Sequence, residues 1–325
     1  MKKITDYKTY NRRLTGSKKL RHRLFFFLYR LVAAFAVPIC LFIGAGAAIF
    51  FLLLQYKHAD LPPLPAHPNE CDGFRRMRLE PELTDSLQRL MAQTDTDKYR
   101  LLALLMASTG FYDTTEEQPY LPSTLEEYDA LAAYYEAEYP EELALLQSSY
   151  ETILSDIVYF PVMKSSRNNE TGLCGADISY ADAWLAERNY QNTSHSHEGT
   201  DIMALNNRRG YYPIVSMTDG VVENIGWLEK GGYRIGIRSP HGGYFYYAHL
   251  YRYADGLAEG SQIQAGQLLG FMGDSGYSKV EGTVGNFDVH LHFGIYLKTE
   301  HYEELSVNPY WILKLVESST VVGDY

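Results

Sequence analysis

The uncharged run "LVAAFAVPICLFIGAGAAIFFLLL", residues 31–54, restricts what this chain can become more than any other feature. Its 24 residues are enough to cross a hydrocarbon core of about 30 Å with some tilt. Residues 1–30 carry ten Lys or Arg against the single acid Asp6, a net charge of +9. Positive charge on that side predicts a cytoplasmic tail (1–30), a transmembrane helix (31–54) and everything after Leu54 outside the cell. The "AGA" at Ala45–Ala47 could mark signal-peptide cleavage, but the apolar run continues past it as "AIFFLLL", so a retained single-pass anchor is expected. Arg12–Arg13 lie too far from the run for a twin-arginine signal.

The residues after Leu54 hold 19 bases and 39 acids, a net charge of −20. A surface that acidic repels polyphosphate, so no nucleic-acid partner is expected. Cys40 lies in the apolar run, while Cys71 and Cys174 follow it, where a disulfide could survive. Pairing and two separate thiols both fit that spacing.

Composition divides the outer part. Residues 55–80 include the proline-rich "HADLPPLPAHPNE" and read as a short stiff spacer. Residues 81–156 place apolar side chains three and four apart between acids, with a break at "TGFYDTTEEQPYLPS", and predict two or three packed helices. Residues 157–317 hold short β-prone runs between glycines, among them "DGVVENIGWL", "GGYRIGIRS", "GGYFYYAHL" and "DVHLHFGIYL". That pattern predicts an all-β domain, a sandwich or partly open barrel. Residues 318–325 read as a tail.

Three stretches of the β-rich part carry metal-site chemistry. In "NTSHSHEGTDIM" a helical zinc motif is excluded, because Gly199 and Thr200 interrupt any helix and the fifth residue of "HEGTD" is Asp201, not histidine. His197 and Asp201 still form an imidazole–carboxylate pair suited to Zn²⁺. In "DVHLHFGIY" strand alternation turns His290 and His292 to one face, and sets Phe287, Val289, Leu291, Phe293 and Ile295 on the core face. In "YYAHLYRY" His249 ends a β-prone run, with Tyr247 on its face. Two histidines and an aspartate would supply three ligands and leave a position open for hydrolytic chemistry, with further imidazoles as acid or base.

"HEGTD", "YAHL" and "HLHFGIY", in that order and spacing, resemble the motifs of the lysostaphin/LytM family of zinc metallopeptidases; "DGVV" and "GQLLGFMGDSG" resemble that family's turns. The resemblance covers about residues 158–310. It implies a compact β-rich domain whose groove holds one Zn²⁺ per chain and which cuts peptide bonds of bacterial peptidoglycan. Carried over by position, it implies His197, Asp201 and His292 as metal ligands and His249 and His290 as the catalytic pair. It leaves His195 as an exposed loop residue and Glu198 as a solvated neighbour. The stretches "RNNETGLCGADISYADAW" and "YSKVEGTVGNFDV" are longer than that pattern and are expected to border the groove.

The competing expectation is a non-catalytic scaffold or activator of the same fold, as in cell division or endospore engulfment, with the helical region 81–156 docking a protein partner. All five motif positions are filled, which favours the enzyme. A carrier-domain reading of "EGSQIQAGQLLGFMG" fails because Lys279 lacks the expected flanking pattern.

Overall fold

The structure, a computed structural model, describes residues 61–112, 120–167, 178–190 and 193–325. The anchor expected at 31–54 and Cys174 lie outside the described residues; among those described, no helix is long and apolar enough to cross a membrane.

Each helix begins where its cap predicts. Cys71 Sγ accepts the amide of Phe74 and opens α1 (Asp72–Arg75). Prolines at the first turn open α2 (Pro81–Met91) and α5 (Pro140–Leu154), where a missing N–H costs nothing. Asp97 accepts from the amides of Tyr99 and Arg100 to start α3 (Lys98–Ser108), and Thr124 caps α4 (Leu125–Glu138). Leu101 through Ser108 are all buried, so α3 is the central helix, packed against α2, α4 and α5.

The stiff-spacer expectation for 55–80 fails over its described part, residues 61–80. Phe74 and Met77 are fully buried, and Phe74 packs on Tyr150 of α5. Arg75 reaches the other layer, where its Nε donates to the Ser306 carbonyl at 3.1 Å and its own carbonyl accepts from the Asn308 amide at 2.7 Å. Burial of these apolar side chains outweighs the extended preference of the preceding prolines. Helices and strands from Leu61 to Tyr325 therefore form one compact unit with a continuous apolar core.

The sheet runs β10 (Gln262–Ile263), β7 (Gly220–Leu228), β8 (Gly232–Arg238), β9 (Tyr244–Tyr253), β11 (Leu268–Met272), β6 (Pro213–Val215), β1 (Phe160–Ser165) and β14 (Thr320–Gly323). β14 pairs parallel with β1, so the stretch expected to be a tail closes one edge of the sheet. β12 (His290–Leu297) pairs with β13 (Leu305–Val307), β5 (Thr200–Ala204) and β9, and β5 also pairs with the short β2 (Ile178–Ser179). A separate hairpin joins β3 (Glu187–Tyr190) to β4 (Thr193–Ser196).

Two features of the pairing position the candidate residues. β12 lies antiparallel to β5 with His292 directly opposite Asp201, so both side chains emerge on one face. Between β8 and β9 the register shifts: Ile235 faces Tyr247 and Tyr233 faces Leu250, leaving Ala248 and His249 opposite Arg234 alone. His249 sits in this bulge with φ of 61°. A bulge re-aims the side chains beyond it.

Candidate metal centre

His197 precedes β5 and is pinned by its backbone, its amide donating to the Ala186 carbonyl at 2.9 Å while its carbonyl accepts from Leu185 at 2.8 Å. Its Nδ1 lies 3.0 Å from the Ala183 carbonyl. A carbonyl only accepts, so Nδ1 carries the proton and Nε2 turns a lone pair inward. That Nε2 is 2.9 Å from Asp201 Oδ1 and 3.0 Å from His292 Nδ1, which is itself 3.0 Å from the same oxygen.

Three donor atoms mutually about 3 Å apart approach the edge of a tetrahedron with metal bonds of about 2.0–2.2 Å. A histidine lone pair facing a carboxylate oxygen at 2.9 Å is repulsive unless a cation lies between them. The neutral-imidazole and carboxylate set thus fits a divalent ion on the chemistry of its donors. Burial favours protonation of Asp201, but the surrounding imidazoles outweigh it and hold the carboxyl well below the usual carboxylate range.

His249 and His290 lie beside this trio, both buried, with ring centroids 4.7 Å apart. Each commits Nδ1–H to a backbone carbonyl, His249 to Ser275 at 2.8 Å and His290 to Asp288 at 2.7 Å. Their Nε2 atoms therefore hold lone pairs, and that of His290 is 3.7 Å from Asp201 Oδ1. Burial, reinforced by the imidazoles of His290 and His292, pushes His249 well below the ordinary histidine value. Burial also lowers His290, against the opposing pull of Asp201. Both rings are neutral near pH 7 and able to accept a proton.

All five sequence-derived residues meet at the floor of one groove of about 910 Å³. Tyr246 and Tyr296 contribute to its lining, and burial raises both hydroxyls so that they stay protonated. Tyr277, Asn286 and Phe287 bring the long loop after β11 to its edge.

Three expectations change. His195 is not an exposed loop residue: it is half-buried on β4, paired with Arg188, and lines the groove. Tyr247 does not share a face with His249; it is fully buried, its hydroxyl accepting from the Met217 amide at 2.9 Å, because the bulge breaks the alternation of β9. Phe287 leaves the expected core set, since β12 begins only at His290; its ring packs 4.7 Å from His249 and 5.1 Å from His290. Glu198 is exposed, as expected.

Arg188 had no sequence signal. Its Nη2 donates to Asp201 Oδ2 at 2.8 Å, leaving Oδ1 to the two imidazoles. Only the β3–β4 hairpin brings an arginine 13 residues upstream onto that carboxylate.

Residues 195–309 match the family model described as Peptidase family M23. The L-Ala–D-Glu endopeptidase of Bacillus subtilis (strain 168) is 42% identical over 136 residues, which are 41% of this chain and 39% of that protein. The match thus spans well under half of that relative. A crystal structure from Ruminococcus gnavus ATCC 29149, named for a LytM glycyl-glycine endopeptidase, is 40% identical with a TM-score of 0.64, covering 80% of this chain and 96% of that one. The catalytic domain of lysostaphin from Staphylococcus simulans aligns at 24% identity and a TM-score of 0.32, over 42% of this chain and 92% of that one. Because the likeness to the Ruminococcus protein runs through the helices as well as the β-sheet, and the motif residues meet in one groove, the chain belongs to peptidase family M23, the metallo-endopeptidases.

Proposed function

We propose that this chain is a zinc endopeptidase that hydrolyses peptide bonds of bacterial cell-wall peptidoglycan, held at the outer face of the cell membrane by residues 31–54 with its N-terminus in the cytoplasm. The convergence of His197 Nε2, Asp201 Oδ1 and His292 Nδ1 beside two neutral imidazoles carries this reading.

His197, Asp201 and His292 would hold the ion. Zinc, when bound, supplies a Lewis acid that polarises the scissile carbonyl and acidifies water. His249 and His290 accept through Nε2 the proton that water gives up as it attacks. The new carbon–oxygen bond forms, the carbon–nitrogen bond breaks, and the proton passes to the departing amine. The Tyr246 hydroxyl is a suitable donor to the oxygen that gains charge, while Tyr296 donates its own to the Glu198 carbonyl at 3.2 Å.

The two relatives are named for different bonds, L-Ala–D-Glu and glycyl-glycine. Lys230 lines the groove, and its charge favours a stem peptide, whose D-Glu carries a free carboxylate, over an uncharged glycine bridge.

Digestion of purified peptidoglycan with zinc-loaded full-length protein, followed by mass spectrometry of the muropeptides, tests both points. New ends that are absent with the His290→Ala protein are expected, and their identity names the bond. A folded, zinc-loaded protein that releases nothing from several wall chemistries would return the balance to the scaffold reading.

A further inference from the structure

A second constellation of metal-binding side chains lies away from the M23 groove. The short 3₁₀ turn Pro68–Glu70 follows His67, and the Glu70 amide donates to the His67 carbonyl at 3.1 Å. In a 3₁₀ turn the side chains at i and i+3 eclipse, so His67 and Glu70 share a face. His301, in the loop between β12 and β13, meets them there. Its ring stands edge-on to that of His67 with centroids 4.6 Å apart, and its Nδ1 is 3.0 Å from Glu70 Oε2.

We propose that His67, Glu70 and His301 form a second, structural site for a borderline divalent metal, Zn²⁺, which clips residues 67–70 to the β12–β13 loop.

The donor set and its support both argue for this. One ligand atom from each of the three residues lies within 4.8 Å of the others. Modest rotation of two half-exposed imidazoles closes that spread onto one ion with bonds of about 2.0–2.2 Å. Two imidazoles and a carboxylate suit zinc better than calcium or magnesium, which take oxygen. Glu300 Oε2, 3.6 Å from His67 Nδ1, is near enough to become a fourth donor.

Glu70 is the fixed member of the set. Its side chain is only 12% exposed, against 52% for His301, and the His301 backbone amide donates to its Oε1 at 3.2 Å. The scaffold beneath is also tied, because Arg75 bridges to Ser306 on β13 and its carbonyl accepts from Asn308. The ion would therefore join two segments 231 residues apart that already pack together, so little chain entropy opposes its binding.

The test disables the M23 centre first, so that the two sites fail separately. Full-length Asp201→Ala protein is stripped with a chelator, re-equilibrated with buffered Zn²⁺, and its metal counted by mass spectrometry. About one zinc per chain should remain, with a zinc-dependent rise in Tm. Adding His67→Ala or His301→Ala should remove both. Asn at 301 keeps a hydrogen-bond donor toward Glu70, so His301→Asn in the same background should lose the zinc while keeping the metal-free Tm of its parent. The proposal is overturned if Asp201→Ala alone leaves the chain without zinc, or if His301→Asn retains the metal.

Discussion

Gly199 lies directly beneath the imidazole of His292. A Cβ at that position would stand 2.6 Å from His292 Cε1 and 2.6 Å from the Phe293 carbonyl oxygen. The ring could swing away only by leaving Asp201, and the carbonyl belongs to β12 itself. Gly199 therefore has a packing reason to separate Glu198 from Thr200, beyond interrupting a helix. Gly199→Ala should lower zinc affinity and cut peptidoglycan turnover at least about tenfold, the scale on which small displacements of reacting groups act. Wild-type turnover in that variant would contradict this account.

Arg188 orients a carboxylate without reaching the inward donors. Removing such a partner typically costs 10–100-fold in metal affinity, and Arg188→Ala is expected to fall in that range. Competition with a chelator of known affinity measures it. Arg188→Lys should recover part of the loss, because a point charge can meet Oδ2 but lacks the planar fork of a guanidinium.

The ligand and proton-transfer roles separate by mutation. Asp201→Ala should lose zinc at the M23 centre and activity together. His249→Ala and His290→Ala should keep that zinc and lose about 10²–10⁴-fold in turnover, the usual contribution of a positioned acid or base. His195→Ala should leave the zinc in place and change turnover by less than about tenfold, since the residue only lines the groove. Metal analysis beside muropeptide release distinguishes the three outcomes; zinc loss from the His290→Ala protein would refute the division of roles.

Asp156, just after α5, accepts the His241 amide at 2.8 Å and contacts its ring at 2.7 Å. Burial raises its carboxyl, but the His241 amide and ring outweigh this and leave it below its ordinary value of 3.8. A depressed carboxylate stabilises the fold fully above its unfolded value, and that stability is lost as pH falls through the lower, folded one. Asp156→Asn should therefore cost about 1–3 kcal/mol at pH 7, and the gap in Tm from the parent should close only below about pH 4. A gap independent of pH would mean that packing, not charge, holds this joint.

What could be read in the sequence was whatever depends on local period and spacing. The alternation at His290, Leu291 and His292 follows from the geometry of any strand, and β12 keeps it. Glycine-bounded runs marked β7, β8 and β9 for the same reason. Three-and-four spacing marked the helical region, where α2 starts at Pro81, although four α-helices rather than two or three are described there. Features set by tertiary partners were hidden. Nothing local reports that Arg188 faces Asp201, that Phe287 turns onto His249, or that Phe74 and Met77 draw a proline-rich entry into the core. The bulge in β9 was the costliest omission, because every period-two inference carried across it is inverted.

That bulge also bears on how an enzyme of this kind could fall silent. One extra residue turns His249 toward the groove, while Tyr247 stays fastened to the core. Inserting a single residue beside Arg234 of β8 would restore regular pairing and carry the histidine to the face of Tyr247. Such a descendant would retain all five motif side chains and a place for its ion, yet have lost one of its two proton acceptors. In this fold, competence for hydrolysis is written in the length of a strand as well as in its letters, and an inventory of motif residues would miss the difference.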